Sequence, residues 1–272
     1  MKRFVKCAAG PGLAAALLIL APSARSAPLV AAASSQDQAA KLDELVSKWK
    51  AAQQAFYDEY RKAKTDDERT EVMKKEPKAA DHLPAFIEVA EQSAGTETAA
   101  KAWMWVLQLA GQAEDDEATN VAIETLMRDH VSSKEIGELP GLISSMLSRK
   151  LGVEKSEALL RQLIEKTDAP PVKGAAMYSL ATLIDGQSPE AGSERAKEVR
   201  TLMESVAKDY ADVKDARGRP IGKRAEGWLF EKDHLQVGNT APEVEATDLS
   251  GVAFKLSDYR GKVVLLDFWG NW

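Results

Sequence analysis

Along most of the chain, from Asp37 to Leu235, apolar residues recur at spacings of three and four, which is the period of an amphipathic helix. The first of these stripes runs through Leu42, Leu45, Val46, Trp49, Ala52, Phe56 and Tyr60. Similar stripes lie within residues 139–147, 177–184 and 199–210. We therefore predict a helical region over residues 37–235, in which short breaks join neighbouring helices as antiparallel hairpins.

Several residues of this region have an expected local role. Gly111 follows the apolar stretch "WMWVLQLA" and is expected just past the end of a helix. Ser188, which precedes a proline, is expected to cap the start of a helix. The tryptophans Trp103, Trp105 and Trp228 are expected in the helical core.

Three segments of the helical region look related: residues 97–107, 170–180 and 222–230. Each places a basic residue and alanine ahead of a Trp or Tyr, and the first two align at a separation of 73 residues. This separation is close to two units of a helical hairpin of roughly 34 residues. The pattern resembles a degenerate tetratricopeptide-like array, although the full consensus is absent. An irregular helical domain is the alternative, and the sequence leaves both open.

Beyond residue 236 the helical period is lost. Residues 243–247 alternate as a strand, "DLSG" at Asp248–Gly251 has the signature of a type I turn, and residues 252–256 predict a second strand. A further turn is expected at Gly261. The apolar run "VVLLDFW", Val263–Trp269, has the length and composition of a strand buried on both faces, as in a central parallel sheet.

Composition and charge narrow the possible functions. The chain is 44% hydrophobic and 29% charged, which is typical of a globular protein, and its net charge of −6 argues against nucleic acid as a partner. The histidines His82, His130 and His234 lie far apart and lack the spacing of metal ligands, so we predict surface or capping roles for them. We expect no metal and no cofactor.

The N-terminus has the pattern of an export signal. Three basic residues precede the short apolar stretch Leu13–Ala21, and small residues follow it. We predict a signal peptide over residues 1–27, a linker over residues 28–36 and a periplasmic or extracellular location, because the apolar stretch is too short for a stable membrane anchor. Cleavage would remove Cys7, the one cysteine of the chain, and the mature chain could then form no disulfide.

Residues Gly238–Pro242, "GNTAP", and Leu256–Trp272, "LSDYRGKVVLLDFWGNW", carry a resemblance to a known family. They are similar to the start of the thioredoxin-like domain of exported redoxins, which are thiol–disulfide reductases and antioxidant proteins of the alkyl-hydroperoxide-reductase type. In that pattern a C-x-x-C motif follows the residue matched by Trp272. The resemblance therefore implies an α/β thioredoxin-like domain over residues 236–272 that is truncated just before its catalytic cysteines.

The resemblance also implies site residues. Asp267 matches the buried acid that the thioredoxin family uses to shuttle a proton for its second cysteine, although exported relatives often carry Asn at this position. Trp269 and Trp272 match the aromatic residues that flank the cysteines. Without the resemblance, a solvent-facing Asp267 on an edge strand is the alternative.

Two functions follow from this organisation. In the first, the full-length protein is a thiol–disulfide oxidoreductase or antioxidant redoxin that acts on a protein disulfide or a peroxide. In the second, the helical region is a non-enzymatic module that binds a protein partner on its surface, and the redoxin segment is vestigial. The codons that follow Trp272 separate these two functions.

Overall fold

The computed structural model describes residues 27–267, 269 and 270, with side chains described from Ser35 onward. The predicted signal peptide, apart from Ala27, lies outside the described residues, as does Cys7. The described part is mainly α-helical, which confirms the predicted fold class at this level. Its helices are α1 Ala27–Lys62, α2 Asp66–Met73, α3 Ala79–Gln92, α4 Glu97–Gln112, α5 Asp116–Asp129, α6 Leu139–Leu142, α7 Ser148–Leu151, α8 Val153–Lys166, α9 Pro170–Asp185, α10 Glu194–Asp209 and α11 Ile221–His234.

Helix α1 begins earlier than the sequence pattern suggested. Residues 28–36, which we predicted to be a linker, form its first turns. The stretch is rich in alanine, which has the highest intrinsic helix propensity, and alanine gives no apolar periodicity to reveal the helix. Further along α1, the predicted stripe is buried at Leu42, Trp49 and Phe56.

Most helix starts follow the expected capping chemistry. Thr96, Asp115 and Ser193 each accept a hydrogen bond from a backbone N–H of the first turn that follows, which satisfies a donor with no partner inside the helix. The cap of α10 is thus Ser193, and the predicted cap at Ser188 is wrong. Ser188 instead occupies the left-handed region, at a φ of 51°, in the turn that precedes α10.

The predicted helix end at Gly111 is also wrong, because α4 continues to Gln112. Gly111 serves packing instead. A Cβ atom at this position would lie 2.9 Å from Cε of Met146, so the missing side chain makes room for that methionine. A glycine near the end of an apolar stretch can therefore reflect a close contact as well as a helix end.

Helices that follow one another in the chain pack on one another: α3 on α4, α4 on α5, α8 on α9, α9 on α10 and α10 on α11. Short connections of this kind are typical of antiparallel neighbours. The three related segments lie within α4, α9 and α11. Between α6 and α7, however, residues Ile143–Leu147 form a π-helical turn, so this part of the region departs from a simple repeat of two-helix units.

The core is centred on α4 and α9. Helix α4 buries residues on several faces, including Trp103, Met104 and Val106. Helix α9 does the same, with Leu180, Ala181 and Leu183. Trp105 and Trp228, which we also predicted in the core, are partly buried against it. A helix that is apolar around most of its circumference must be covered on most sides, which is why these two helices lie inside.

Two buried glycines allow close approach at the ends of this core. A Cβ atom on Gly174 of α9 would lie 2.6 Å from Cβ of Tyr210, and one on Gly222 of α11 would lie 2.4 Å from the Cα of Ala211. Neither distance is tolerated between carbon atoms, and the neighbour of Gly222 is backbone that cannot rotate away. Both positions therefore require glycine.

Ion pairs join α8, α10 and α11 across the surface. Glu157 accepts hydrogen bonds from Arg195 at 2.8 and 3.1 Å, and Arg161 bridges from Glu157 to Glu198. The Arg195 hydrogen bonds, opposed by partial burial and supported by Arg161, lower the pKa of Glu157 to about 2. The bidentate geometry and the 16% exposure of the Glu157 side chain distinguish this pair from an ordinary surface ion pair.

We expect Gly222→Ala to destabilise the protein by about 2 kcal/mol or more, because the added methyl group overlaps the Ala211 backbone. Gly227→Ala is the matched control, since Gly227 lies on the same helix with no neighbouring atom within 4 Å of an added Cβ. It should stabilise by about 0.5–1 kcal/mol through helix propensity. Urea unfolding followed by circular dichroism measures both, and equal effects would contradict the close approach at Gly222.

Lowering the pH should remove the stabilisation that the ion pairs of Glu157 provide. The folded-state pKa of about 2 lies below the ordinary value of 4.5, so the carboxylate stabilises the protein above about pH 4.5 and this stabilisation is lost as the pH falls towards 2. We expect Glu157→Gln to be less stable at neutral pH and to lose less stability across that window. Glu165→Gln on the same helix is the control. Chemical denaturation at a series of pH values tests this, and parallel curves for wild type and Glu157→Gln would refute it.

Candidate functional site

The segment after α11 forms a small β-hairpin. Strand β1, Glu245–Thr247, pairs antiparallel with β2, Ala253–Lys255, and Ala246 lies opposite Phe254. Both lie inside the predicted strand ranges, and the turn between them is at the predicted "DLSG". The Asp248 carboxylate accepts hydrogen bonds from the backbone N–H groups of Ser250 and Val252, at 2.8 and 2.9 Å, which holds the turn without any help from the helices.

The chain after β2 is hydrogen-bonded to the two residues that precede β1. Residues Leu256–Tyr259 form a 3₁₀ turn. The Glu243 carboxylate accepts a hydrogen bond of 3.0 Å from the Ser257 N–H. The Ser257 hydroxyl, and after it this N–H, lower the pKa of Glu243. Leu256 N–H also donates to the Val244 carbonyl at 2.9 Å. The predicted turn at Gly261 follows, at a φ of 84°.

The predicted central strand at Val263–Trp269 is not formed in the described residues of that range. Val263 and Leu265 are almost fully exposed, and Val264 and Leu266 are 42% and 51% exposed. A strand needs a neighbour whose backbone accepts and donates its ladder hydrogen bonds, and among the described residues the one sheet consists of β1 and β2 alone. The apolar run therefore has no strand partner among the described residues.

The three predicted site residues lie on or next to this run. Asp267 is exposed to solvent, in contrast to the buried position that the resemblance implied. The Trp269 side chain is 83% exposed. Trp272 lies outside the described residues, as do Phe268 and Asn271. Within the described part of the chain, no neighbouring element covers Asp267 or Trp269, so the two side chains do not share a pocket there.

The three histidines of the chain lie at separate places in the helical region. His130 is buried at the C-cap of α5, where its backbone N–H donates to the Leu126 carbonyl, and desolvation lowers its pKa. His82 packs edge-on against Trp49, and His234 lies exposed beside Phe230. Among the described residues, no three His, Cys, Asp or Glu side chains form a group able to hold a metal ion. No described helix has the length and apolar character needed to cross a membrane.

The loop between α10 and α11 has a conformation that was not predicted from the sequence. The loop between α10 and α11 folds around Asp215, which accepts hydrogen bonds from the N–H groups of Arg217 and Arg219 and from the Arg219 guanidinium. Desolvation acts against ionisation, but these hydrogen bonds outweigh it and lower the pKa of Asp215 to about 2. The loop closes one side of a cavity next to α9. The signal in the sequence is "DARGRP", in which Asp, Gly and Pro are spaced as in a turn.

Comparison with known proteins identifies a short stretch of similarity. The chain is 57% identical over 45 residues to the thiol-disulfide oxidoreductase ResA of Geobacillus kaustophilus strain HTA426. The matched stretch covers 16% of this chain and 26% of that protein. It is 52% identical over 45 residues to ResA of Geobacillus thermodenitrificans strain NG80-2, with the same coverage. It is 43% identical over 47 residues to ResA of Bacillus thuringiensis strain Al Hakam, which covers 17% of this chain and 27% of that protein.

The chain thus spans about a quarter of the length of the curated relatives that it matches. No model of a known protein family matches it, and no solved structure matches it. The similarity supports a relationship to thioredoxin-like oxidoreductases over this short stretch alone.

The uncovered run predicts how the 272-residue chain responds to proteases. We expect limited trypsin digestion to cut first within residues 233–262, at exposed Lys255, Arg260 or Lys262, before it cuts the helical region. Mass spectrometry of the early fragments identifies the sites. The lysines of α8 serve as the internal comparison. A C-terminal segment that resists as long as α8 would show that the hairpin and the run are more stable than their exposure indicates.

Proposed function

We propose that residues 236–272 are the beginning of a thioredoxin-like domain and that the whole protein is an exported thiol–disulfide oxidoreductase. The observation that carries this proposal is the identity of 57% over 45 residues to a protein named as such an enzyme. The redoxin motif residues of this chain all lie within residues 236–272, and we infer that most of the 45 matched residues lie there. The predicted signal peptide over residues 1–27 is the basis for proposing export.

The exposure of the apolar run supports the proposal. Val263 and Leu265 are 104% and 91% exposed, and side chains of this type each contribute about 1.5–3 kcal/mol when they are buried. An uncovered run of this kind also favours aggregation. In a thioredoxin-like domain the run would be a central parallel strand, covered by helices on both faces. We propose that further chain beyond residue 272 supplies this cover, together with the C-x-x-C motif.

The proposed chemistry is thiol–disulfide exchange. The thiolate of the first cysteine attacks one sulfur of a substrate disulfide, forms a mixed disulfide and releases the other sulfur as a thiolate. The second cysteine then loses its proton and attacks the mixed disulfide, which leaves an intramolecular disulfide and a reduced substrate. A helix N-terminus at the motif would lower the pKa of the first cysteine and so favour its thiolate.

Asp267 is proposed to accept the proton of the second cysteine. Burial under the completed sheet would raise its pKa towards the working range of a general base, whereas in the present structure Asp267 faces solvent. Trp269 and Trp272 are proposed to flank the cysteines, where Trp272 would shield the thiols and contact the substrate. The substrate is a protein disulfide or, in the peroxidase form of the same chemistry, a peroxide.

The intact mass of the native protein, together with the codons that follow Trp272, tests the proposal. We expect a protein longer than 272 residues with a C-x-x-C motif directly after Trp272, which reduces insulin disulfides in the presence of dithiothreitol. Substitution of the first cysteine by serine should abolish this reduction. A verified stop codon after Trp272, or a longer protein that lacks the motif, would overturn the proposal and favour the protein-binding function of the helical region.

The same protein provides a test of the proton transfer. We expect Asp267→Asn to slow insulin reduction by about 10²-fold near neutral pH and to shift its pH profile towards higher pH, because hydroxide must then deprotonate the second cysteine. Asp212→Asn, at an exposed position in the loop after α10, is the matched control. An unchanged pH profile in Asp267→Asn would exclude the proton-transfer role and leave the cysteine chemistry unaffected.

A further inference from the structure

A cavity of ≈ 380 Å³ lies between the π-helical turn, α9 and the loop that connects α10 to α11. It is distinct from the C-terminal segment and does not depend on the proposed redox function. Its size is within the usual range for a small-molecule site, which combines apolar walls with a few polar groups. Leu142, Tyr178 and Ile221 provide apolar surface here.

One wall of the cavity is cationic. Lys214, Arg217, Arg219 and Arg224 line it, against the two carboxylates of Asp215 and Glu138, so the lining has an excess of two positive charges. The chain as a whole carries a net charge of −6, which makes this local excess unusual. A concave surface with one sign of charge concentrates ligands of the opposite sign.

The cations of this wall differ in their partners. The Arg219 guanidinium donates to the Asp215 carboxylate at 2.8 and 3.0 Å, and Arg224 donates to the same carboxylate at 3.2 Å. Among the described residues, Lys214 and Arg217 have no carboxylate within ion-pair distance. Arg219 and Arg224 therefore share the one carboxylate of Asp215, and Lys214 and Arg217 line the cavity without a counter-charge from the described residues.

The loop backbone that carries Lys214 and Arg217 is held in a defined conformation. Its backbone is closed by the bond from Ile221 N–H to the Val213 carbonyl, at 2.8 Å, and by the Arg217 and Arg219 N–H groups on Asp215. The Arg224 guanidinium stacks over the ring of Tyr178, 5.0 Å from its centroid. A cationic site that is held in place before the ligand arrives loses less entropy on binding.

The opposite wall offers hydroxyl groups. Ser179 of α9 is only 5% exposed and lines the cavity. A hydroxyl at this position can donate a hydrogen bond to an oxygen atom of a ligand. Ser144 and Ser145 reach the cavity from the π-helical turn, a rare element that is frequent at functional sites.

We propose that this cavity binds a small organic oxyanion with an apolar body, such as an aromatic carboxylate. The oxyanion would pair with Arg217 and Lys214 and accept a hydrogen bond from the Ser179 hydroxyl, while the apolar body contacts Leu142, Tyr178 and Ile221. Arg217 is the residue best suited to a carboxylate, because its planar guanidinium can donate two parallel hydrogen bonds.

Titration of the 272-residue chain with benzoate, benzamide and inorganic phosphate, followed by amide chemical shifts in NMR spectra, tests the proposal. We expect benzoate to shift the amide signals of Arg217 and Ser179 and to bind about tenfold tighter than benzamide, which has the same shape without the charge. Phosphate should bind more weakly than benzoate because it lacks the apolar body. Equal affinity for benzoate and benzamide, tighter binding of phosphate, or shifts spread over the surface would overturn the proposal.

Two variants separate the site from the general charge of the protein. Arg217→Ala should weaken benzoate binding by about tenfold and leave the fold unchanged, because the loop uses only the Arg217 backbone N–H. Arg149→Ala removes the same charge at an exposed position outside the cavity and should have no effect. Ser179→Ala should weaken binding less than Arg217→Ala. Equal losses in Arg217→Ala and Arg149→Ala would show a non-specific charge effect and refute the site.

Discussion

Helices α4 and α9 are apolar around most of their circumference, and the rest of the helical region depends on covering them. Helix α4 lies against α1, α3 and α5, and α9 lies against α8 and α10. Small residues such as Ala99 and Ala176 keep the distances between helix axes short, and Gly174 admits the side chain of Tyr210. The outer helices are amphipathic because one face covers these two and the other faces water.

The need to cover apolar surface also explains why the segment after α11 forms a hairpin but leaves its apolar run exposed. The hairpin of β1 and β2 is held by its own turn, through the Asp248 carboxylate and the Glu243 tie to Ser257, and these bonds need no neighbour. The apolar run that begins at Val263 has no such local source of stability. Its backbone needs a parallel partner and its side chains need cover, and both come from elements distant in sequence.

The two proposals concern different chemistry in different parts of the chain. The redox proposal rests on residues at the C-terminal end, where Asp267 and Trp269 are exposed and become a site only when further structure covers them. The anion proposal rests on residues that are already assembled: a loop held by Asp215, a stacked Arg224 and the largely buried Ser179. The helical region therefore contains a formed cavity of its own, separate from the C-terminal segment.

The sequence by itself determined the features that depend on local order. The stripe through Leu42 and Trp49 predicted a helix with one buried face, and Asp248 with Gly251 predicted the hairpin turn, because periodicity and turn chemistry act between residues close in sequence. Only the tertiary structure decided the rest. Ser193 rather than Ser188 caps α10, Gly111 makes room for Met146, and four basic side chains meet α9 around one cavity, since each of these depends on which distant residues come into contact. The run Val263–Trp269, which was predicted as a buried strand, has the composition for burial, but composition cannot provide the neighbouring strands that burial requires.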